Sequence, residues 1–154
     1  MKRFTDLIAE CLPHIQEVLP WDIESMRSQY PDLLLVDVRE PYEFQAARIE
    51  GSLNVPRGIL ETACEYGFEE TVPELVEART RPVLLVCRSG NRSALAAAVM
   101  QEMGYRKVYS LKTGLRGWND YEQPLIKDDA ALDIEAADAY FTPKLRPEQL
   151  PPKS

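Results

Sequence analysis

The residues best suited to carry out chemistry lie in one short segment, Cys87-Arg88-Ser89-Gly90-Asn91-Arg92-Ser93. Cys87 ends an apolar run, and the segment leads into an alanine-rich stretch, so we expect the thiol to lie between a strand and the start of a helix. The partial positive charge at a helix N-terminus favours a thiolate. A cysteine ionised in this way is a nucleophile suited to an anionic substrate.

The backbone after Cys87 is predicted to curl around the sulfur. Gly90 and Asn91 are the residues in this segment best able to adopt unusual dihedral angles. Such a curl would turn consecutive N–H groups inward, as in the anion-binding nests of other proteins. We therefore predict that this loop binds an anion through its main chain.

The side chains of the same loop are also predicted to contact substrate. Arg88 and Arg92 would place fixed positive charge beside the sulfur. Ser89 and Ser93 would supply hydroxyl groups, one of which is expected to cap the following helix. All six residues from Arg88 to Ser93 are therefore candidate substrate-binding residues.

The other two cysteines are predicted to be structural. Cys11 lies on the apolar face of an N-terminal helical pattern, and Cys64 lies in a helical stretch without basic neighbours. Three cysteines make no disulfide framework, and their spacing suggests no metal site, so we expect free thiols, a reducing cytoplasmic compartment, and neither metal nor cofactor. His14 is the single histidine and has no catalytic neighbours, which leaves no histidine base for the reaction.

Strands and helices alternate along the chain. Two continuous apolar runs, 33–38 and 82–87, are typical of strands buried on both faces of a parallel sheet. Weaker strands are predicted at 52–55 and 107–111. Helical patterns are predicted at 41–47, 59–66, 71–79 and 92–103, with a further short helix at 130–140. This order predicts an α/β fold with a mainly parallel central sheet flanked by helices.

Ligands of parallel sheets bind beyond the carboxyl ends of the strands, so polar residues there are of interest. Asp37 and Arg39 follow the first buried strand and are interpreted as a polar pair that orients the loop, with substrate contact as the alternative. Arg57 follows a weaker strand and could line the mouth of the site or be surface charge. Trp118 and Tyr121 are expected to be core or rim aromatics.

Composition excludes several classes of protein. The chain has 154 residues, 45% of them hydrophobic and 28% charged, which is ordinary for a globular protein. The net charge of −7 argues against a general nucleic-acid binder. The apolar runs are too short to cross a bilayer, and acidic residues interrupt the N-terminal segment early, so neither a membrane span nor a secretory signal is expected.

The Cys87–Ser93 loop resembles the active-site loop of the rhodanese (sulfurtransferase) superfamily. Residues 37–40, 43–44 and 49–56 resemble the first signature of that family, and 111–118 is similar to its closing motif. The resemblance runs from about Ile15 to Leu125. Two residues depart from the family pattern, since Arg48 replaces a usual histidine and Arg116 replaces a usual glycine.

The resemblance implies a single rhodanese-like domain at 15–125, with a helical extension at 1–14 and a C-terminal extension at 126–154 that is partly helical and then extended. It also implies a thiosulfate sulfurtransferase in which Cys87 takes the sulfane sulfur of thiosulfate, or of another persulfide donor, and holds it as a persulfide. A nucleophilic acceptor such as cyanide, a thiol, thioredoxin or a sulfur-carrier protein would then remove that sulfur. The expected partners are a small anionic donor and a sulfur-acceptor protein, without nucleic acid or membrane.

Two other functions remain open for a chain with this resemblance. Phosphatases and arsenate reductases of the same fold also use a cysteine loop that ends in arginine, but their loop is longer by one residue. Four residues separate Cys87 from Arg92, so the loop between them is better sized for sulfur than for phosphate. Rhodanese-like domains that lack the cysteine serve as docking modules, and the two extensions could dock a partner here.

Overall fold

A computed structural model describes residues 1–153 of the chain. Its centre is a five-stranded parallel sheet in the order β1-β5-β4-β2-β3. The strands are β1 (Gln16–Val18), β2 (Leu34–Asp37), β3 (Leu53–Asn54), β4 (Val83–Val86) and β5 (Val108–Leu111). The fold class predicted from the alternation of elements is therefore confirmed.

Helices cover both faces of this sheet. They are α1 (Phe4–Cys11), α2 (Ile23–Gln29), α3 (Pro41–Ala46), α4 (Leu60–Ala63), α5 (Pro73–Val76), α6 (Asn91–Glu102), α7 (Gly114–Asp120) and α8 (Ile134–Phe141). Short 3₁₀ turns cover Leu12–His14, Pro20–Asp22, Arg57–Ile59 and Pro147–Gln149. Prolines begin α3 and α5, where the absent N–H would have had no helical partner.

The central strand β4 explains why the sheet has a core on each side. Val83 and Leu85 pack into one buried cluster, whereas Leu84 and Val86 pack into the other. All four side chains are fully buried. A strand covered on both faces needs apolar residues at every position, which is the pattern that the sequence shows there.

Several local predictions differ from the structure. The helices predicted at 59–66 and 71–79 are shorter, at Leu60–Ala63 and Pro73–Val76. The helix expected at 130–140 begins only at Ile134, because a small antiparallel hairpin, β6 (Ile126–Lys127) and β7 (Ala130–Ala131), comes before it. Asp128 and Asp129 form its turn, both with positive φ. The helix α7 was not predicted, since its two glycines disfavour helix by propensity.

The C-terminal segment packs against the body of the protein. Ala137 and Phe141 of α8 are buried in the same cluster as Leu84 and Val86. The backbone of Arg48 pairs with that of Ile126, so the residue that departs from the family pattern contacts the extension. Within residues 1–153, no helix combines the length and apolar character that crossing a bilayer requires.

Candidate active site

Cys87 lies directly after β4, at the carboxyl edge of the sheet, and only 1% of its surface is exposed. Its Sγ accepts hydrogen bonds from two backbone N–H groups of the following loop. The Gly90 nitrogen lies 3.1 Å from Sγ and the Ser93 nitrogen 3.3 Å. N–H groups directed at one sulfur would stabilise negative charge on it, so the loop has the geometry of an anion cup.

Gly90 gives the loop its curl. Its φ is +91°, in the left-handed region, and it is the N-cap of α6. A Cβ at this position would lie 3.0 Å from both the Leu111 carbonyl oxygen and the Thr113 nitrogen. Asn91, in contrast, is the first residue of α6 and has no positive φ. Of the two residues predicted to adopt unusual dihedral angles, only Gly90 does so.

A chain of two serine hydroxyls leads away from the sulfur. The Ser93 Oγ lies 3.4 Å from Cys87 Sγ and 2.8 Å from the Ser110 Oγ, and all three residues are buried. The prediction that a serine caps the helix was wrong, because Gly90 occupies the cap and no side chain bonds there. Ser93 contacts the sulfur instead. Sequence reasoning missed Ser110, although a serine inside an otherwise apolar strand was a usable signal.

The start of α7 holds the other side of the loop. The Leu115 N–H donates to the Cys87 carbonyl at 2.8 Å, and the Arg116 N–H donates to the Arg88 carbonyl at 3.0 Å. Gly114 makes this approach possible, since a Cβ there would lie 2.5 Å from both carbonyl oxygens. The closing motif therefore fixes the main chain beside Cys87.

Arg92 is paired with a carboxylate. Its guanidinium binds Glu43 of α3 at two points, with Nη1–Oε2 at 2.8 Å and Nη2–Oε1 at 2.9 Å. Burial opposes the ionisation of Glu43, but hydrogen bonds from Arg92 and from the Glu40 N–H leave its pKa below the ordinary value. The loop thus carries less net positive charge than its sequence indicates.

The side chains of Arg88 and Ser89 lie in different surroundings. The Arg88 Nη2 donates to the Phe141 carbonyl oxygen, at the end of α8, at 2.9 Å. A carbonyl is neutral, so Arg88 keeps its net charge, and a cation is favoured at a helix C-terminus. Ser89 is exposed and lines a cavity beside the loop.

Asp37 and Arg39 form a pair that is wholly buried, with both side chains 0% exposed. The Arg39 Nε and Nη2 donate to the Asp37 carboxylate, and Nη2 also reaches the Ala47 carbonyl. The Asn54 amide in turn donates to the backbone oxygens of Asp37 and Arg39, each at 3.0 Å. The geometry is that of a pair that holds the chain after β2, next to the cup.

The remaining candidates lie outside the cup. Arg57 forms an ion pair with Glu61 of α4 at 2.8 Å, on the surface. Cys11 and Cys64 are buried, and burial raises the pKa of both thiols. Neither is suited to be a thiolate near neutral pH.

The chain matches a family model, described as a rhodanese-like domain, over residues 22–121. It is 33% identical over 92 residues to the thiosulfate sulfurtransferase GlpE of Tolumonas auensis, covering 58% of this chain and 76% of that protein. It is 34% identical over 104 residues to the adenylyltransferase and sulfurtransferase UBA4 of Scheffersomyces stipitis, covering 67% of this chain and 23% of that much longer protein.

A solved structure shares both fold and sequence with this chain. It belongs to a Rhodopseudomonas palustris protein of unknown function, described as a possible tyrosine phosphatase. The TM-score is 0.73 at 28% identity, and the match covers 82% of this chain and 96% of that one. The family model spans most of the chain, including the loop that surrounds Cys87, and the protein belongs to the family of rhodanese-like domains.

Proposed function

We propose that this protein is a sulfurtransferase that carries sulfane sulfur as a persulfide on Cys87. The observation that carries the proposal is the arrangement around Sγ, where two backbone N–H groups and the Ser93 hydroxyl surround one buried sulfur. The thiol donates to the Ser93 hydroxyl, and once the proton has left the sulfur the hydroxyl can donate in return. Together with the two N–H groups it would then stabilise the thiolate before the reaction and again when it leaves the persulfide. The proposed nucleophile is the thiolate form of Cys87, and the mechanism assigns no side-chain base.

With thiosulfate as donor, the reaction has two steps. The Cys87 thiolate attacks the outer sulfur, a new S–S bond forms, and sulfite leaves with the electrons of the broken bond. A nucleophilic acceptor then bonds to the outer sulfur, and Sγ leaves as a thiolate. Each step is a displacement at sulfur without an external oxidant, and the mechanism predicts ping-pong kinetics.

The donor is expected to be a small anion, thiosulfate or a persulfide. Arg88 supports this choice because it keeps its net positive charge beside the loop. The relative named thiosulfate sulfurtransferase also supports it. The proposed acceptor is cyanide, a thiol, thioredoxin or a sulfur-carrier protein. The proposed location is the cytoplasm, with which the acidic composition and the free cysteines of the chain are consistent.

Intact mass spectrometry after incubation with thiosulfate tests the proposal. The wild-type protein should gain the mass of one sulfur atom, and potassium cyanide should remove it. Cys87→Ser should gain nothing, whereas Cys11→Ala and Cys64→Ala should gain the same mass as wild type. Sulfur on Cys87→Ser, or none on wild type with any sulfane donor, would refute the assignment.

A phosphatase is the second candidate, because the Rhodopseudomonas palustris relative is described as a possible tyrosine phosphatase. The loop here has only four residues between Cys87 and Arg92, and Glu43 neutralises the arginine that would bind a phosphate. We expect no hydrolysis of an aryl phosphate above that of Cys87→Ser. Brisk hydrolysis through Cys87 would favour this second function.

A further inference from the structure

The arginines in the loop and in the segments that follow β2, β3 and β5 differ in whether they are free to bind a ligand. Arg39, Arg57 and Arg92 each have a carboxylate partner. Arg88 donates to a carbonyl oxygen. Arg116 is exposed, and within residues 1–153 its side chain makes neither an ion pair nor a hydrogen bond. It is therefore the arginine of this group that can accept an anionic ligand without first losing a partner.

Arg116 lines a cavity that adjoins the active-site loop. The cavity has a volume of about 550 Å³, and its walls include Ser89 of the loop and Asp120 of α7. The Arg116 backbone lies directly on the loop, since its N–H donates to the Arg88 carbonyl at 3.0 Å. A volume in this range is typical of sites for small organic molecules, and it is far more than a thiosulfate ion needs.

Two exposed aromatic rings line the same cavity. Trp21 and Tyr121 have their ring centroids 5.6 Å apart in an edge-to-face arrangement, and both line the cavity. They are 56% and 48% exposed. Exposed aromatic rings beside an unpaired guanidinium suit a ligand that has an apolar part and one anionic group.

We propose that Arg116, Trp21 and Tyr121 form a binding site for the acceptor, a low-molecular-weight thiol that carries a carboxylate. The carboxylate binds Arg116, the carbon skeleton packs on the two rings, and the thiol points past Ser89 toward Cys87. The inference rests on the proposed sulfurtransferase function and names its acceptor class. Arg116 becomes a specificity-determining residue, at a position where the family pattern has glycine.

The transfer that this site serves is balanced without a further reactant. The thiolate sulfur of the acceptor bonds to the outer sulfur of the Cys87 persulfide. The bond between the two persulfide sulfurs breaks, and Sγ keeps its electron pair as a thiolate. The acceptor leaves as a persulfide with the proton of the outer sulfur.

The test compares N-acetylcysteine with its amide, two acceptors that differ only in the carboxylate. With thiosulfate as donor, wild type should favour N-acetylcysteine in kcat/KM by about tenfold, the effect expected of one charge-assisted contact. Arg116→Gln should reduce that preference to about unity, and Arg116→Lys should restore part of it. Arg106→Gln is the matched control, because Arg106 is exposed and precedes β5, at the opposite edge of the sheet.

Transfer to cyanide separates this inference from the proposed function. Cyanide has no carboxylate for Arg116 to hold in place, so Arg116→Gln should lower the rate of transfer to cyanide far less than the rate of transfer to N-acetylcysteine. If wild type fails to transfer sulfur to cyanide, the proposed function fails. If it transfers sulfur to cyanide but shows no carboxylate preference, or if Arg116→Gln keeps the preference, the acceptor site is refuted.

Binding can also be measured without turnover. In Cys87→Ser, titration with N-acetylcysteine should change the fluorescence of Trp21, which is exposed in the cavity, whereas Trp118 is buried. Adding Arg116→Gln to Cys87→Ser should weaken this binding about tenfold. Equal binding of the acid and its amide to Cys87→Ser would overturn the inference, whatever the activity of the wild type.

Discussion

Glu43 and Arg92 join the two helices that follow adjacent strands of the central sheet. Glu43 lies in α3, after β2, and Arg92 lies in α6, after β4, and their side chains meet in a two-point ion pair. The pair holds the end of the nucleophile loop against its neighbour. It also places a carboxylate beside a site that is proposed to bind an anion.

Replacing Glu43 with glutamine should improve donor binding. The amide retains an acceptor for the Glu40 N–H but no longer repels an anion or neutralises Arg92. We expect the KM for thiosulfate to fall about threefold with kcat unchanged, the size typical of removing one like charge near a site. Steady-state kinetics measures this, with Glu74→Gln on α5 as the control. A higher KM would mean that Glu43 acts only to hold Arg92 in place.

The same pair should make stability depend on acid pH. The pKa of Glu43 is lowered from 4.5, so the folded state binds its proton less readily than the unfolded state does. The stabilisation is therefore complete above pH 4.5 and is lost as the pH falls through the lowered value. Urea unfolding should show that wild type and Glu43→Gln differ in free energy near neutral pH. That difference should shrink at acid pH, and a constant difference would contradict this account.

Gly90→Ala should damage the cup. An alanine at a φ of +91° is strained by about 1 kcal/mol, and its Cβ would also press on Leu111 and Thr113. Gly67→Ala is a matched control, because Gly67 has a φ of +98° with open space around it. Both variants should lose stability in urea, Gly90→Ala more, and only Gly90→Ala should lose sulfur loading from thiosulfate. Equal sulfur loading of the two variants would show that loading does not depend on the left-handed turn at Gly90.

Ser93→Ala should slow sulfur transfer. It removes the hydroxyl 3.4 Å from Sγ and leaves the Ser110 hydroxyl without its partner. A hydrogen bond to a charged atom is worth roughly 1.5–3 kcal/mol, so the rate to cyanide should fall by about tenfold or more. Ser28→Ala, on the exposed surface of α2, should keep the wild-type rate. An unchanged rate in Ser93→Ala would leave stabilisation of the sulfur to the backbone N–H groups alone.

Asp37→Asn should destabilise the whole fold. It leaves the Arg39 guanidinium buried without a countercharge, and breaking a fully buried pair costs about 3–5 kcal/mol. Glu61→Gln, which breaks the surface pair with Arg57, should cost less than about 1 kcal/mol. Urea denaturation of both variants measures the contrast. A loss in Asp37→Asn no larger than that in Glu61→Gln would show that the buried pair does not hold the structure.

Much of the fold could be predicted from local sequence. The runs that became β2 and β4 carry apolar residues on both faces, and their one polar residue, Asp37, lies at the end of β2, so burial on both faces suits them and implies a covered parallel sheet. Cys87 follows one of these runs, and Gly90 is the residue that tolerates a left-handed turn. These features depend on neighbours in the chain, which is why the candidate nucleophile and its loop could be selected without a structure.

Other features could not be predicted because they join distant parts of the chain. Arg92 and Glu43 are 49 residues apart, and Arg88 and Phe141 are 53 apart. A sequence shows that an arginine is charged but not whether a carboxylate meets it. Tertiary packing therefore decides which arginines have a hydrogen-bond or ion-pair partner.

The kind of sheet and the choice of Cys87 as the candidate reactive thiol follow from short-range patterns of burial and backbone freedom, which are present in the amino-acid sequence. The contact between Ser110 and Ser93, and the position of Arg116 beside a cavity and unpaired within the described residues, depend on how the chain packs. Hydrogen bonds and charge pairing are set by distance in space, not by distance along the chain. Folding brings β5, α7 and α8 to the loop from positions that the chain order does not make adjacent.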